Sequence, residues 1–266
     1  MDEKPPAPVS PLRALRRFTE ARIGLGRFGA GQPTAVHLDF AEAHAKARDA
    51  VHTGFDLDGV AGALTAAGRR SIRIESLAGD RATYLRRPDL GRRLSAASRD
   101  RLAQERAEGG CDLVLIVADG LSATAVNRWA VGTALSVLAA VPQDWRVAPV
   151  VLAEQGRVAL SDPIGEALGA RLALMLVGER PGLSAADSLG AYLTFGPRPG
   201  RTDADRNCVS NIRPGGIAPE AAGRKLGRLA GRAASLGFGG TRLKDDETLI
   251  EAAQPAPLVA GDGGST

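Results

Sequence analysis

Residues 112–118, Asp-Leu-Val-Leu-Ile-Val-Ala, form a nearly continuous apolar run that is followed at once by Asp119-Gly120-Leu121-Ser122. A run of this length, rich in leucine and β-branched residues, is typical of a strand that is buried on both faces of a parallel sheet. Residues 122–141 then have the pattern of a helix. A strand, a turn and a helix in this order form the repeating unit of an α/β fold.

The same alternation of strands and helices continues towards the carboxyl terminus. Further strand-like runs occupy residues 147–153, 171–177, 191–195 and 208–212, and helical patterns occupy residues 163–168 and 219–237. Strands that alternate with helices over about 130 residues indicate parallel pairing with crossover helices. We therefore predict an α/β fold whose Rossmann-like, doubly wound and mainly parallel sheet spans residues 108–238.

The amino-terminal part is predicted to be different. Residues 12–107 are expected to be mainly helical, with helical patterns at 12–23, 38–52, 57–67 and from Pro88 towards Glu108, and one strand-like stretch at 72–77. The basic, amphipathic stretch 12–23 is a candidate docking helix. Residues 1–11 are proline-rich and predict a flexible arm, and residues 239–266 predict a poorly ordered tail.

Composition excludes several classes of protein. The chain is 44% hydrophobic and 24% charged, and its net charge of +4 comes from arginines dispersed among acids, without the aromatic interleaving of nucleic-acid readers. No apolar run reaches the roughly 18–20 residues of a membrane helix, and no signal peptide is visible, so we expect a cytoplasmic protein. Cys111 and Cys208 lack metal-site or disulfide spacing, and we expect free thiols.

Two loops are candidates for ligand binding, because both follow predicted neighbouring strands at the same end. They are residues 119–122 and residues 178–183, and each combines glycine with a carboxylate, Asp119 or Glu179. Ligands of open parallel sheets bind outside the carboxyl ends of the strands. An equally acceptable interpretation is that the glycines only turn the chain and the acids cap helices.

Other apparent motifs carry little weight. Residues 24–29 match Gly-x-Gly-x-x-Gly, but they follow a helical pattern, whereas the dinucleotide fingerprint needs a strand before it and a helix after it. There is no Gly-x-Ser-x-Gly nucleophile elbow. The residues alone leave open a nucleotide-binding Rossmann-type oxidoreductase and a non-catalytic assembly protein.

A series of short blocks gives a more specific indication. In chain order, they include residues 19–23, 39–51, 84–94, 117–122, 156–158, 164–166, 176–183 and 205–212, with Tyr-Leu-Arg-Arg-Pro-Asp-Leu-Gly-Arg-Arg-Leu at 84–94 and Val-Gly-Glu-Arg-Pro-Gly-Leu at 177–183. In their order and spacing over about residues 12–237, these blocks resemble the small, or light, chain of ethanolamine ammonia-lyase.

The resemblance implies an enzyme of large and small subunits, both needed, that converts ethanolamine to acetaldehyde and ammonia by an adenosylcobalamin-dependent radical rearrangement. It implies that the substrate site lies in the large subunit and that the small subunit closes over the cobalamin at their interface. Carried over by position, the cobalamin contacts are Val158, Glu179 and Cys208. No residue of this chain is implied to be catalytic or to ligate metal, since the cofactor keeps its own dimethylbenzimidazole.

The resemblance also implies a hetero-oligomer of several large and small subunit pairs, with neither nucleic acid nor membrane as a partner. Some relatives are packaged in a bacterial microcompartment through a longer amino-terminal extension. Here only the proline-rich residues 1–11 precede the first helical pattern, so the resemblance leaves packaging open.

Overall fold

The computed structural model of the chain describes residues 10–27 and 29–244. Most of the predicted arm (residues 1–9) and most of the predicted tail (residues 245–266) lie outside the described residues. No helix in the described part of the chain is long and apolar enough to cross a membrane.

Seven α-helices and six strands make up the described fold, joined by loops and short 3-10 turns. They are α1 (Thr34–His52), α2 (Leu57–Ala66), β1 (Ser71–Glu75), α3 (Arg81–Arg86), α4 (Ala96–Gln104), β2 (Cys111–Ala118), α5 (Ala123–Ala140), β3 (Val150–Glu154), α6 (Ser161–Leu168), β4 (Ala170–Gly178), β5 (Leu189–Phe195), β6 (Arg206–Ile212) and α7 (Pro219–Leu236).

The six strands form one mixed sheet in the order β1-β3-β2-β4-β5-β6. Strands β1, β3, β2 and β4 pair in parallel, whereas β5 is antiparallel to both β4 and β6. The predicted α/β class is confirmed. The prediction of a Rossmann-like, doubly wound sheet does not extend to β5 and β6, because no crossover helix lies between β4 and β5 and a short loop reverses the chain.

Side chains of β2 alternate between the two faces of the sheet. Leu113, Leu115 and Val117 pack on one face in a cluster with α5 and α7. Val114 and Ile116 pack on the other face in a cluster with α4 and α6. Because both faces are buried, the strand reads as a continuous apolar run, and each buried leucine or valine side chain contributes about 1.5–3 kcal/mol.

Helices α5 and α7 pack closely because α7 carries glycine where the two helices meet. A Cβ atom at Gly223 would lie 2.3 Å from the Cβ of Ser136, and one at Gly227 would lie 2.5 Å from the Cβ of Ala140. Helix α7 begins at Pro219 and ends before Gly237, whose φ of 73° is the left-handed conformation of a helix cap.

The predicted docking helix at residues 12–23 is wrong as an α-helix. The structure has a 3-10 helix at Pro11–Arg17 instead. Its apolar residues Leu12 and Leu15 are 55% and 46% exposed, and Phe18 beyond it is 73% exposed. An isolated helix of this length is marginal without a surface to bury its apolar side, and the described part of the chain offers none to this stripe.

The helix predicted from Pro88 also begins later than expected. It is α4, which starts after Ser95, whose hydroxyl accepts a hydrogen bond from the amide of Ser98 at 3.1 Å. This capping bond satisfies an amide that would otherwise lack a partner. The segment between Pro88 and Ser95 instead includes a short 3-10 turn at Leu90–Arg92.

A buried ion pair ties the antiparallel strands to the rest of the fold. The Arg206 guanidinium of β6 donates to both carboxylate oxygens of Asp162 in α6, at 2.9 and 2.7 Å, and also to the Thr194 hydroxyl of β5. The Arg206 and Asp162 side chains are only 2% and 3% exposed. The two hydrogen bonds between the guanidinium and the carboxylate offset the free-energy cost of burying both charges. If either residue were removed, the other charge would stay buried without its partner.

Replacing only one member of this pair should strongly destabilise the fold. Asp162→Ala leaves the Arg206 guanidinium buried without its carboxylate, and we expect the free energy of unfolding to fall by about 3–5 kcal/mol. Asp162→Leu combined with Arg206→Met removes both charges and should cost less. Urea unfolding measures both effects.

The control is Asp89→Ala, which breaks the exposed Arg87–Asp89 pair. It should lower the free energy of unfolding by less than about 1 kcal/mol. Equal losses for Asp162→Ala and Asp89→Ala would contradict the prediction.

Candidate functional site

The two predicted ligand loops lie side by side at the centre of the sheet. Strands β2 and β4 are parallel neighbours, but the chain continues from β2 to β3 on one side and from β4 to β5 on the other. Such a reversal opens a crevice at the carboxyl ends of the strands. The loops approach closely: the Leu121 amide donates to the Gly178 carbonyl at 2.8 Å, and a Cβ at Gly120 would lie 2.3 Å from that oxygen.

The carboxylate of Asp119 is not available to a ligand. Asp119 is 3% exposed. Its Oδ1 accepts from the amides of Gly120 and Gly156 at 3.0 and 3.2 Å, and its Oδ2 faces the Arg81 guanidinium at 3.4 Å. As a candidate ligand acceptor Asp119 is therefore not supported, because the chain itself occupies its oxygens.

The carboxylate of Glu179 is half-buried and keeps one oxygen free. Its Oε2 accepts from the Ser188 hydroxyl at 2.5 Å and from the Asn211 amide at 3.3 Å. Its Oε1 accepts no hydrogen bond from the described residues. The side chain lies across β5 at Gly190, where a Cβ would come within 2.8 Å of Oε1. Glu179 is therefore held in place with an acceptor to spare.

Cys208 lies on β6, which β5 separates from β4, the strand that Glu179 follows. It pairs in register with Tyr192 of β5, and it is a free, exposed thiol. Burial raises the pKa of the Cys208 thiol, and the charge of Glu179 adds to the rise while a hydrogen bond to Tyr192 opposes it. Burial also raises the pKa of the Tyr192 hydroxyl, with further increases from Cys208 and Glu179. Both groups are therefore neutral at pH 7.

Val158 lies on the other side of the crevice. It begins the 3-10 turn Val158–Leu160 after β3. Val158 and Tyr192 each pack against the apolar cluster that contains Val114 and Ile116 of β2. Glu179 continues the alternation of Met175 and Val177, which belong to that cluster. The three predicted contacts therefore share one face of the sheet.

These three residues do not form a compact pocket. Val158 lies in the turn after β3, Glu179 follows β4 and Cys208 lies within β6. The loop before Val158 crosses towards β2 and β4, since a Cβ at Gly156 would lie 3.0 Å from the Cβ of Ala118 and 3.4 Å from the Cε of Met175. A ligand that touches all three must also lie over the face of β5 and β6, because Cys208 pairs with Tyr192 inside β5.

Sequence reasoning missed the residues that support these contacts. Ser188 and Gly190 hold Glu179, Tyr192 adjoins Cys208, and Arg81 reaches Asp119 from α3. Tyr192 carried the clearest available signal, because it is one of only two tyrosines in the chain. The other three act through pairing between distant segments, which a sequence pattern does not reveal.

The buried Asp119 should give the protein a specific dependence on pH. Burial raises the pKa of its carboxyl from 3.8 to about 6, although Arg81 and the two amides oppose the rise. The native state then binds a proton more tightly than the unfolded state, so stability rises as pH falls through about 6.

We therefore expect the free energy of unfolding of the wild type to increase relative to that of Asp119→Asn between pH 7.5 and pH 5. The expected gain is about 1–1.5 kcal/mol, because roughly one pKa unit of the shift is realised by pH 5. Urea unfolding of both proteins at the two pH values measures it. A difference between the two proteins that does not change with pH would contradict the raised pKa.

Comparison with known proteins gives a consistent result over nearly the whole chain. A model of the family described as ethanolamine ammonia-lyase light chain (EutC) matches residues 9–244. The ethanolamine ammonia-lyase small subunit of Azotobacter vinelandii is 48% identical, with 99% of this chain and 100% of that protein covered. The small subunits of Pseudomonas putida (strain GB-1) and Xanthomonas campestris pv. campestris are each 50% identical and cover 99% and 94% of this chain, and 100% and 96% of their own. The chain belongs to the ethanolamine ammonia-lyase light chain family.

Proposed function

We propose that this chain is the small subunit of an adenosylcobalamin-dependent ethanolamine ammonia-lyase and that it holds cobalamin at the interface with a large subunit. The observation that carries the proposal is that Val158, Glu179 and Cys208, which come from three separate segments, share one face of the sheet. A corrin ring is broad enough to touch side chains from separate segments. When bound, adenosylcobalamin supplies the radical chemistry that converts ethanolamine to acetaldehyde and ammonia.

The chemistry of these residues fits a corrin. Corrin side chains end in amides, which donate hydrogen bonds, and Oε1 of Glu179 is an oriented acceptor without a partner among the described residues. The absence of a side chain at Gly190 leaves room for this carboxylate. The neutral thiol of Cys208 and the apolar Val158 suit the uncharged periphery of the ring.

Each residue has a binding role in this proposal. Glu179 accepts from the corrin amides while Ser188 and Asn211 keep its carboxylate in place. Val158 and Cys208 exclude water from the edges of the ring. The histidines His37, His44 and His52 all lie on α1 and not on the strand-end loops, which suits a cofactor that keeps its own dimethylbenzimidazole. The reacting groups and the substrate site belong to the large subunit.

The proposal extends to the organisation of the chain. The parallel strands form a Rossmann-like, doubly wound unit to which the region before residue 108 contributes β1, and residues 108–238 make the cobalamin-contacting domain. Residues 12–107 form the mainly helical region, and the exposed Leu12, Leu15 and Phe18 dock on a partner. The assembly contains several large and small subunit pairs in the cytoplasm, and packaging in a microcompartment stays open.

Reconstitution tests the proposed function directly. The purified chain should release no ammonia from ethanolamine, and addition of its cognate large subunit with adenosylcobalamin should restore release, because each subunit supplies only part of the site. Ammonia and acetaldehyde are measured together. Binding of NAD or NADP by the isolated chain, with no activity in the mixture, would support a nucleotide-dependent oxidoreductase instead.

Removal of the Glu179 carboxylate should weaken cobalamin binding more than folding. In the two-subunit complex, Glu179→Ala should raise the Kd for adenosylcobalamin about tenfold, because a hydrogen bond to a charged group contributes about 1.5–3 kcal/mol. Glu179→Gln keeps an acceptor and should lose less. Glu166→Ala, at an exposed position of α6, is the matched control. An unchanged Kd in Glu179→Ala would remove Glu179 from the site.

A further inference from the structure

The loop that carries Val158 is held by contacts that do not involve the loop of Glu179. We define the Val158 loop as residues 155–158. The Gly156 amide donates to Asp119 Oδ1 at 3.2 Å, and the Gly156 carbonyl accepts from the Tyr84 hydroxyl at 3.1 Å. Residue 155 is a glutamine with a φ of 53°, a backbone conformation that residues other than glycine seldom adopt. The loop therefore has a strained conformation that the surrounding contacts must maintain.

Arg81 connects this loop to two other segments. Its Nε donates to the Val51 carbonyl at the end of α1, at 2.7 Å. Its Nη1 donates to the Gly120 carbonyl at 2.7 Å and lies 3.4 Å from both Gln155 Oε1 and Asp119 Oδ2. A planar guanidinium can make such contacts in several directions at once, whereas a lysine ammonium cannot replace this geometry.

Tyr84 forms the other support. Its ring lies between two guanidinium groups, with the Cζ of Arg81 4.9 Å and the Cζ of Arg157 4.1 Å from the ring centroid. Arg157 also donates to the Tyr84 carbonyl at 3.2 Å, and its own amide donates to the Gly91 carbonyl at 2.8 Å. Residues from α3 and from the segment after it therefore fix both ends of the Val158 loop.

We infer that Asp119 and Arg81 are positioning residues, which set how tightly cobalamin is held by fixing the Val158 loop and do not touch the cofactor. This inference rests on the proposed function. Asp119 is 3% exposed and its oxygens face only the chain, so any effect on the cofactor must pass through the loop. Its two bonded amides connect the end of β2 to the start of the Val158 loop.

Desolvation works against a charge at this position. A carboxylate this deeply buried is disfavoured by desolvation, which its raised pKa reports. The charged or titratable groups that face it are Arg81 of α3, Glu154 of β3, Tyr84 and, beyond that ring, Arg157. Among residues 10–27 and 29–244, Arg81 is the one cation in direct contact with Asp119. A buried pair of this kind is weak evidence for stability, and a role in fixing one local geometry is the better explanation.

The test uses the complex of the chain with its large subunit and adenosylcobalamin as the probe. Asp119→Asn keeps the shape of the side chain but loses its charge, and we expect the Kd for adenosylcobalamin to rise about tenfold with kcat at saturating cofactor unchanged. Tyr84→Phe removes only the bond to the Gly156 carbonyl and should raise the Kd a few-fold. Asp112→Asn is the matched control, because Asp112 accepts from the Arg146 amide at the opposite end of β2.

Hydrogen exchange of the Gly156 amide in the isolated chain supplies a readout that does not depend on activity. Exchange should be faster in Asp119→Asn than in the wild type and unchanged in Asp112→Asn. If Asp119→Asn does not assemble, Tyr84→Phe decides the question by the same two measurements. A Kd equal to that of the wild type, or a weaker Kd with unchanged exchange at Gly156, overturns the inference. A wild-type complex that binds no cobalamin overturns the proposed function itself.

Discussion

The parallel pairing of β2 with β4 is the constraint on which the other parts of the structure depend. The two strands are in register from Cys111 with Ala170 to Ala118 with Val177. Both are buried on both faces, so a shift by one residue would exchange the side chains packed against α5 and α7 with those packed against α4 and α6. Their carboxyl ends are therefore fixed relative to each other. The close approach of Gly120 to Gly178 is possible only because neither residue has a side chain.

Two carboxylates with different surroundings lie at the carboxyl ends of β2 and β4. Asp119 lies at the end of β2, is buried, and has its oxygens occupied by amides and Arg81. Glu179 lies just after β4, is half-buried, and keeps Oε1 free of described partners. Similar loops with similar composition therefore hold their carboxylates differently, one bonded within the chain and one with an oxygen free of described partners. Burial of Asp119 has an energetic cost, since its carboxyl group is partly ionised where water cannot stabilise the negative charge.

Much of the fold could be predicted because local sequence patterns mark where its strands and helices begin and end. The apolar run 112–118 indicated a buried strand, and Pro219 and Gly237 marked the ends of α7. The direction of β5 could not be predicted, because it depends on whether the chain after Glu179 forms a crossover helix. The apolar stripe at residues 12–23 indicated an α-helix, but periodicity does not show whether a surface is present to bury it. Within the site, Glu179 was visible beside glycines, whereas Ser188 and Arg81 act through contacts with segments far away in the sequence.

The exposed apolar residues near the amino terminus have a consequence for the protein in solution. Leu12, Leu15 and Phe18 present hydrocarbon surface to water, with arginines between them. A surface of this kind favours association between like molecules when nothing covers it. Chains in which this surface stays uncovered are therefore exposed to aggregation and proteolysis, and the more so the higher their concentration.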